Sequence, residues 1–179
     1  MASASLAYRG RLLGLLLMLL GIWAALIPFI GPYFGFAFTP DRVWMMTSGR
    51  LWLSVAPGAA AFIGGLLVAS TDRAATPGAF LAALGGTWLI AGQNIVAFAV
   101  PGHSIAAGSP VIDLGAPFRP STMIFLERLG FFYGLGIVIL FFAALALGEI
   151  IVARMAALRY RDRLDAIRVH QGELDHTSN

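Results

Sequence analysis

Apolar residues in this chain gather into four long blocks separated by one short polar link and two longer loops. They do not follow the alternation of a half-buried sheet or the narrow stripe of a soluble surface helix. The blocks cover residues 12–30, 51–70, 78–100 and 129–153. At 1.5 Å per residue, each can cross a hydrocarbon core of about 30 Å. Glu149 is the single charged residue in any of them. In lipid the backbone must satisfy its own polar groups, so each block is expected to be a helix. The predicted fold class is all-α, a four-helix transmembrane bundle over residues 1–153, with a basic tail at 154–179.

Turn residues punctuate the pattern. Pro28 and Gly31-Pro32 sit where the first span ends, and Thr39-Pro40-Asp41 marks a turn in the loop that follows. Pro57-Gly58 should bend the second span. Residues 71–77 are polar and short, which makes spans two and three antiparallel neighbours. Residues 101–122 form a second long loop, rich in Gly, Pro and Ser. After Arg154 the chain reads as a continuation of helix four, then a disordered end beyond about Gly172. A basic start before an apolar run also suits a secretory signal, but this run is longer than a usual signal core and three more spans follow, so it is read as a retained helix.

Charge gives the expected orientation. Arg9, Arg11, Arg73 and the tail arginines Arg154, Arg159, Arg161, Arg163 and Arg168 share one side, against Arg42, Arg50, Arg119 and Arg128 on the other. The richer side should be cytoplasmic, which places both termini there.

Composition narrows the function classes. Charged residues make up 12% of the chain, half the roughly 25% of soluble domains. The absence of cysteine excludes disulfides, thiolate metal sites and dithiol redox chemistry. All twelve basic residues are arginine. With the heavy use of Ala and Gly, this points to a GC-rich bacterial genome and so to a bacterial inner membrane.

The two halves echo one another. Trp23 two residues after Gly21 matches Trp88 two residues after Gly86, and Arg50-Leu51 at the head of span two matches Arg128-Leu129 at the head of span four. One reading is a pair of parallel two-helix repeats related by an axis along the membrane normal. The other is chance recurrence in a biased composition. The run Trp23-Ala24-Ala25-Leu26-Ile27-Pro28-Phe29 resembles the Trp-then-Pro-aromatic element of the SPW-repeat membrane proteins, small bacterial proteins of paired helices. Here Ile27 replaces the Ser, Phe29 replaces the second Trp, and Gln93 stands where the second half would carry a Pro. The resemblance implies paired membrane helices and no particular activity.

The candidate polar site inside a span is Thr87, Trp88, Gln93 and Asn94. Adjacent amides cannot face lipid cheaply, so they are expected to turn inward. They either bond between helices, a structural role of about 0.6–2 kcal/mol, or line a solute path. Arg50, Glu127 and Arg128 stand at span ends. The ordinary reading there is snorkelling to water or phosphate, and the sharper one is a Glu127–Arg50 ion pair joining the two returning helices. Glu149 reads as a solvated end charge near Arg154. Gly10-x-x-x-Gly14, Ala61-x-x-x-Gly65 and Gly130-x-x-x-Gly134 suit close helix packing or an oligomer contact.

No metal-ligand spacing, nucleotide loop or catalytic set emerges, so neither enzyme activity nor a cofactor is expected. The expected partners are the lipid bilayer and another membrane protein or a second copy, with no nucleic acid. The leading function is a non-enzymatic accessory or assembly subunit. The alternative is a small-solute or lipid transporter or binding protein, possibly oligomeric, using Gln93, Asn94 and Trp88.

Overall fold

The computed structural model describes residues 2–34, 44, 46–70, 72–99 and 129–177, and all regular structure among them is helical. Helix α1 is Ala2–Ile30, followed by a 3₁₀ turn, Gly31–Phe34. Helix α2 is Ser48–Ser70, α3 is Asp72–Ala99 and α4 is Gly134–Thr177. A π-helical turn, Leu129–Tyr133, heads α4.

Four segments within these helices are long and apolar enough to span a membrane: Arg9–Ile30, Ser48–Ser70, Arg73–Gly92 and Gly134–Leu164. Their outward faces carry exposed Leu15, Leu19, Leu66, Phe80, Leu84 and Phe141. Contiguous apolar surface of this kind is a liability in water and a contact surface in lipid.

The helices reach further than the apolar blocks. α1 starts at Ala2, because the small and basic residues before Leu12 are good helix formers. Most of residues 71–77 belongs to α3 rather than to a link. Pro77 lies just past the first turn, so it removes one ladder bond near the helix start without breaking the helix. α4 stays helical to Thr177, beyond Gly172.

The helices close into a ring in chain order, α1 on α2, α2 on α3, α3 on α4 and α4 back on α1. Its centre holds Leu17, Ala24, Ile27, Ala61, Ala82, Leu89, Phe132 and Ile139. Many of these are small because the backbones themselves meet. A Cβ on Gly21 would fall 2.5 Å from the Phe62 nitrogen and 2.6 Å from the Gly58 carbonyl oxygen. One on Gly14 would fall 2.6 Å from the Gly65 carbonyl oxygen. Between α2 and α3, a Cβ on Gly64 would fall 2.5 Å from the Gly78 carbonyl oxygen. Only glycine permits approaches this close, and the spacing of seven between Gly14 and Gly21, and between Gly58 and Gly65, keeps both contacts on one seam. Of the small-residue patterns noted in the sequence, Gly14, Ala61 and Gly65 do pack. Gly10 and Gly130 have nothing within 4 Å of a built Cβ.

The two halves repeat in structure. Gly21 and Trp23 map onto Gly86 and Trp88 by a shift of 65, whereas Arg50 maps onto Arg128 by a shift of 78. Applying the same shifts to the Gly21–Gly58 contact gives Gly86 and Gly136, which do meet: a Cβ on Gly136 would lie 2.7 Å from the Gly86 carbonyl oxygen. Applying them to Gly14–Gly65 gives Ala79 and Ala143, both fully buried. The larger shift also carries a π-helical turn at Leu51–Val55 onto the one at Leu129–Tyr133. Chance recurrence of Trp and Gly does not place contacts and backbone irregularities in matching register. The described helices of the two halves thus match in a glycine contact and in their π-helical turns.

Candidate functional site

The polar features of the bundle converge on the head of α2, at the end away from the termini. Thr47 caps the helix: its Oγ1 accepts the Arg50 backbone N–H at 3.2 Å, and its carbonyl accepts the Leu51 N–H at 2.9 Å. The backbone then widens into the π turn Leu51–Val55, in which the Ala56 N–H donates to the Leu51 carbonyl. The sequence supplies a reason. Pro57 in a regular α-helix would press its ring on the carbonyl of Leu53, and a wider turn relieves that clash.

This geometry strands one carbonyl. The Ala56 N–H, which a regular helix would give to Trp52, is used by Leu51 instead, and Pro57, the π partner of Trp52, has no N–H. The Trp52 carbonyl is satisfied from another helix: the Trp88 indole N–H of α3 donates to it at 2.9 Å. A buried or lipid-facing carbonyl left without a donor is costly, so this bond ties α3 to α2 where α2 is irregular. Trp88→Phe keeps most of the ring and removes the donor. We expect a loss of about 0.5–1.5 kcal/mol of stability, read as a lower midpoint of thermal unfolding in detergent. An unchanged midpoint would remove the bond from the account.

Arg50 is fully buried. It does not snorkel, despite its place at the head of a span. Its guanidinium carbon lies 5.7 Å from the centroid of the Phe29 ring at the end of α1, a cation–π approach. The other side of that aromatic pair is Trp44, whose ring stacks on Phe29 at 6.0 Å and 23°. Trp44 holds a positive φ of 58°, an uncommon state for a bulky residue. One helical turn beyond Arg50, Ser54 is buried, and its Oγ has no hydrogen-bond partner among the described residues.

The residues singled out in the sequence fare differently. Trp88 joins the Arg50 turn through Trp52. Thr87 is exposed and returns its hydroxyl to the Ala83 carbonyl of its own helix at 2.9 Å. Asn94 is exposed rather than turned inward. The Gln93 side chain, Glu127 and Arg128 lie outside the described residues. Glu149 sits within α4, beside the N-terminal part of α1, where its Oε1 lies 3.7 Å from an Arg9 guanidinium nitrogen. Phe29, Ser54 and Thr47 are the contributors that sequence reasoning missed. Ser54 is four residues after Arg50, so helical spacing alone places it on the same side.

Chemically, the cluster is one cation, an aromatic face and a hydroxyl around a widened helical turn. It clamps the end of α1 to the start of α2. Among the described residues no group of three His, Cys, Asp or Glu side chains is placed to hold a metal ion. Comparison with protein-family models, with curated proteins and with solved structures finds no match to this chain.

Proposed function

We propose that this chain is a non-enzymatic accessory or assembly subunit of a bacterial inner membrane, with both termini in the cytoplasm. One observation carries the reading. The described core of the ring is made mainly of apolar side chains and of backbone-to-backbone contacts at glycine, with Arg50 and Ser54 buried at one end. Thr87 and Asn94, which a solute path would need inside, lie on the outer flank. A bundle whose helices meet closely at glycine and whose exterior is apolar suits a protein that acts through its surfaces.

Native mass spectrometry of the protein extracted with its own lipids tests this. A second protein in fixed ratio is the expected result. A lone chain or homo-oligomer carrying a lipid or small molecule would replace the reading with the second one, small-solute or lipid handling. That second reading draws on the buried Arg50 and on the Ser54 hydroxyl, which has no hydrogen-bond partner among the described residues, since intramembrane charge commonly marks function. Orientation is tested separately. Cysteine introduced at Ser109 should react with an impermeant reagent in intact cells and cysteine at Ser178 should not, and the reverse pattern would overturn the orientation.

A further inference from the structure

The stripe that seats α4 in the bundle continues past the bundle. Ile139, Ala143 and Ala146 are buried on it, and Ile150 is half-buried. Alternating steps of three and four residues then lead to Ala153, Ala157, Tyr160, Leu164 and Ile167 on the same unbroken helix. All five are exposed, as is every residue from Ile151 to Leu164. This alternation is the core pattern of a coiled coil, with Ala157 and Leu164 at a and Ala153, Tyr160 and Ile167 at d.

The flanking positions have one sign. Arg154, Arg161 and Arg168 each follow a d residue, and Arg163 precedes the a residue Leu164. These are the e and g positions, whose charges select partner and orientation in coiled coils. Two copies of this chain in one membrane would run parallel and set Arg163 of one against Arg168 of the other, a repulsive pairing. The helix continues directly from span four, and its 44 residues extend about 66 Å, roughly twice the hydrocarbon thickness, so part of it must leave the lipid.

We propose that residues 153–168 of α4 form a docking surface for a helix of another protein, one whose apolar stripe is flanked by Glu and Asp. The proposal rests on the accessory-subunit reading and names its contact.

The probe is a synthetic four-heptad peptide with Ile and Leu at its a and d positions and Glu at e and g, labelled for fluorescence anisotropy. The target is the full chain in nanodiscs of zwitterionic lipid. Binding is expected for this peptide and not for its counterpart with Lys at e and g. Reversing three flanks together, Arg161→Glu, Arg163→Glu and Arg168→Glu, should weaken the Glu peptide at least about tenfold and gain binding of the Lys peptide. These positions are exposed, so the bundle should melt unchanged, as circular dichroism will verify. Leu164→Asp should abolish binding of both peptides.

Equal binding of the two peptides, or of neither, overturns the proposal. So does concentration-dependent self-association removed by Leu164→Asp, which would make the occupant a second copy. So does binding to phosphatidylglycerol vesicles that the same substitution abolishes, which would make the occupant a lipid surface. The charge-reversed variant also separates this proposal from the broader reading. A partner that stays bound to it in native mass spectrometry sinks the contact and leaves the accessory role standing, whereas no partner on the unmodified chain sinks the role.

Discussion

Leucine at Gly58 should prevent the bundle from forming, and alanine there should cost about 1–3 kcal/mol. A Cβ at this position would lie 2.7 Å from the Ala25 nitrogen and 2.7 Å from the Gly21 carbonyl oxygen. Both are backbone atoms of α1, which cannot swing aside as a side chain can. The first hairpin would have to part along its seam, losing the contacts that lipid supplies no hydrophobic force to restore. Gly148→Ala is the control: nothing stands within 4 Å of its added Cβ, so helix propensity leaves stability level or raises it by up to about 1 kcal/mol. The measurement is thermal unfolding of each variant in one detergent. Gly58→Ala melting together with Gly148→Ala would refute the seam. Gly136→Ala should lie between them, because one of its near contacts, at 2.7 Å, is a movable Ile90 side-chain atom.

Arg50→Ala should lose about 2–5 kcal/mol, the second large effect. The side chain is large and fully buried, so truncation opens a cavity and removes the cation from the Phe29 face. Arg50→Lys should recover only part of the loss, since an ammonium lacks the flat, weakly hydrated group that stacks on a ring. Arg50→Met retains a long apolar stem but removes the charge and its donors, so it should recover only part of the loss. A melting temperature for Arg50→Ala equal to that of the unmodified protein would return Arg50 to the snorkelling role expected from its position.

The spans were legible because membrane helices declare themselves through length and apolarity, and four such runs leave little choice of fold. The antiparallel pairing of α2 and α3 followed from the shortness of what joins them. Helix ends were less legible: Ala2 to Leu12 and residues 71–77 are polar, yet polar residues extend a helix freely once it leaves lipid. The site was harder still. Burial of Arg50 depends on Phe29, 21 positions away in sequence, and on the ring closing over it. The widened turn at Leu51–Val55 has a visible cause in Pro57, but the matching turn at Leu129–Tyr133 has Leu135 at the equivalent place. Asn94 reads as inward-facing in the sequence because it was judged by cost alone. Asn94 lies just past the apolar segment Arg73–Gly92, close enough to the interface for water to meet it.

The hairpin repeat has a further consequence for valency. Within the apolar zone the chain shows lipid two near-copies of one face. At the terminal end this equivalence is broken: α2 stops at Ser70 and α3 begins at Asp72, whereas its counterpart α4 runs on to Thr177. Among the described residues the scaffold is therefore quasi-symmetric in its apolar zone and monovalent at the terminal end. One bundle offers one such rod, so its two similar halves cannot each bind the same partner there.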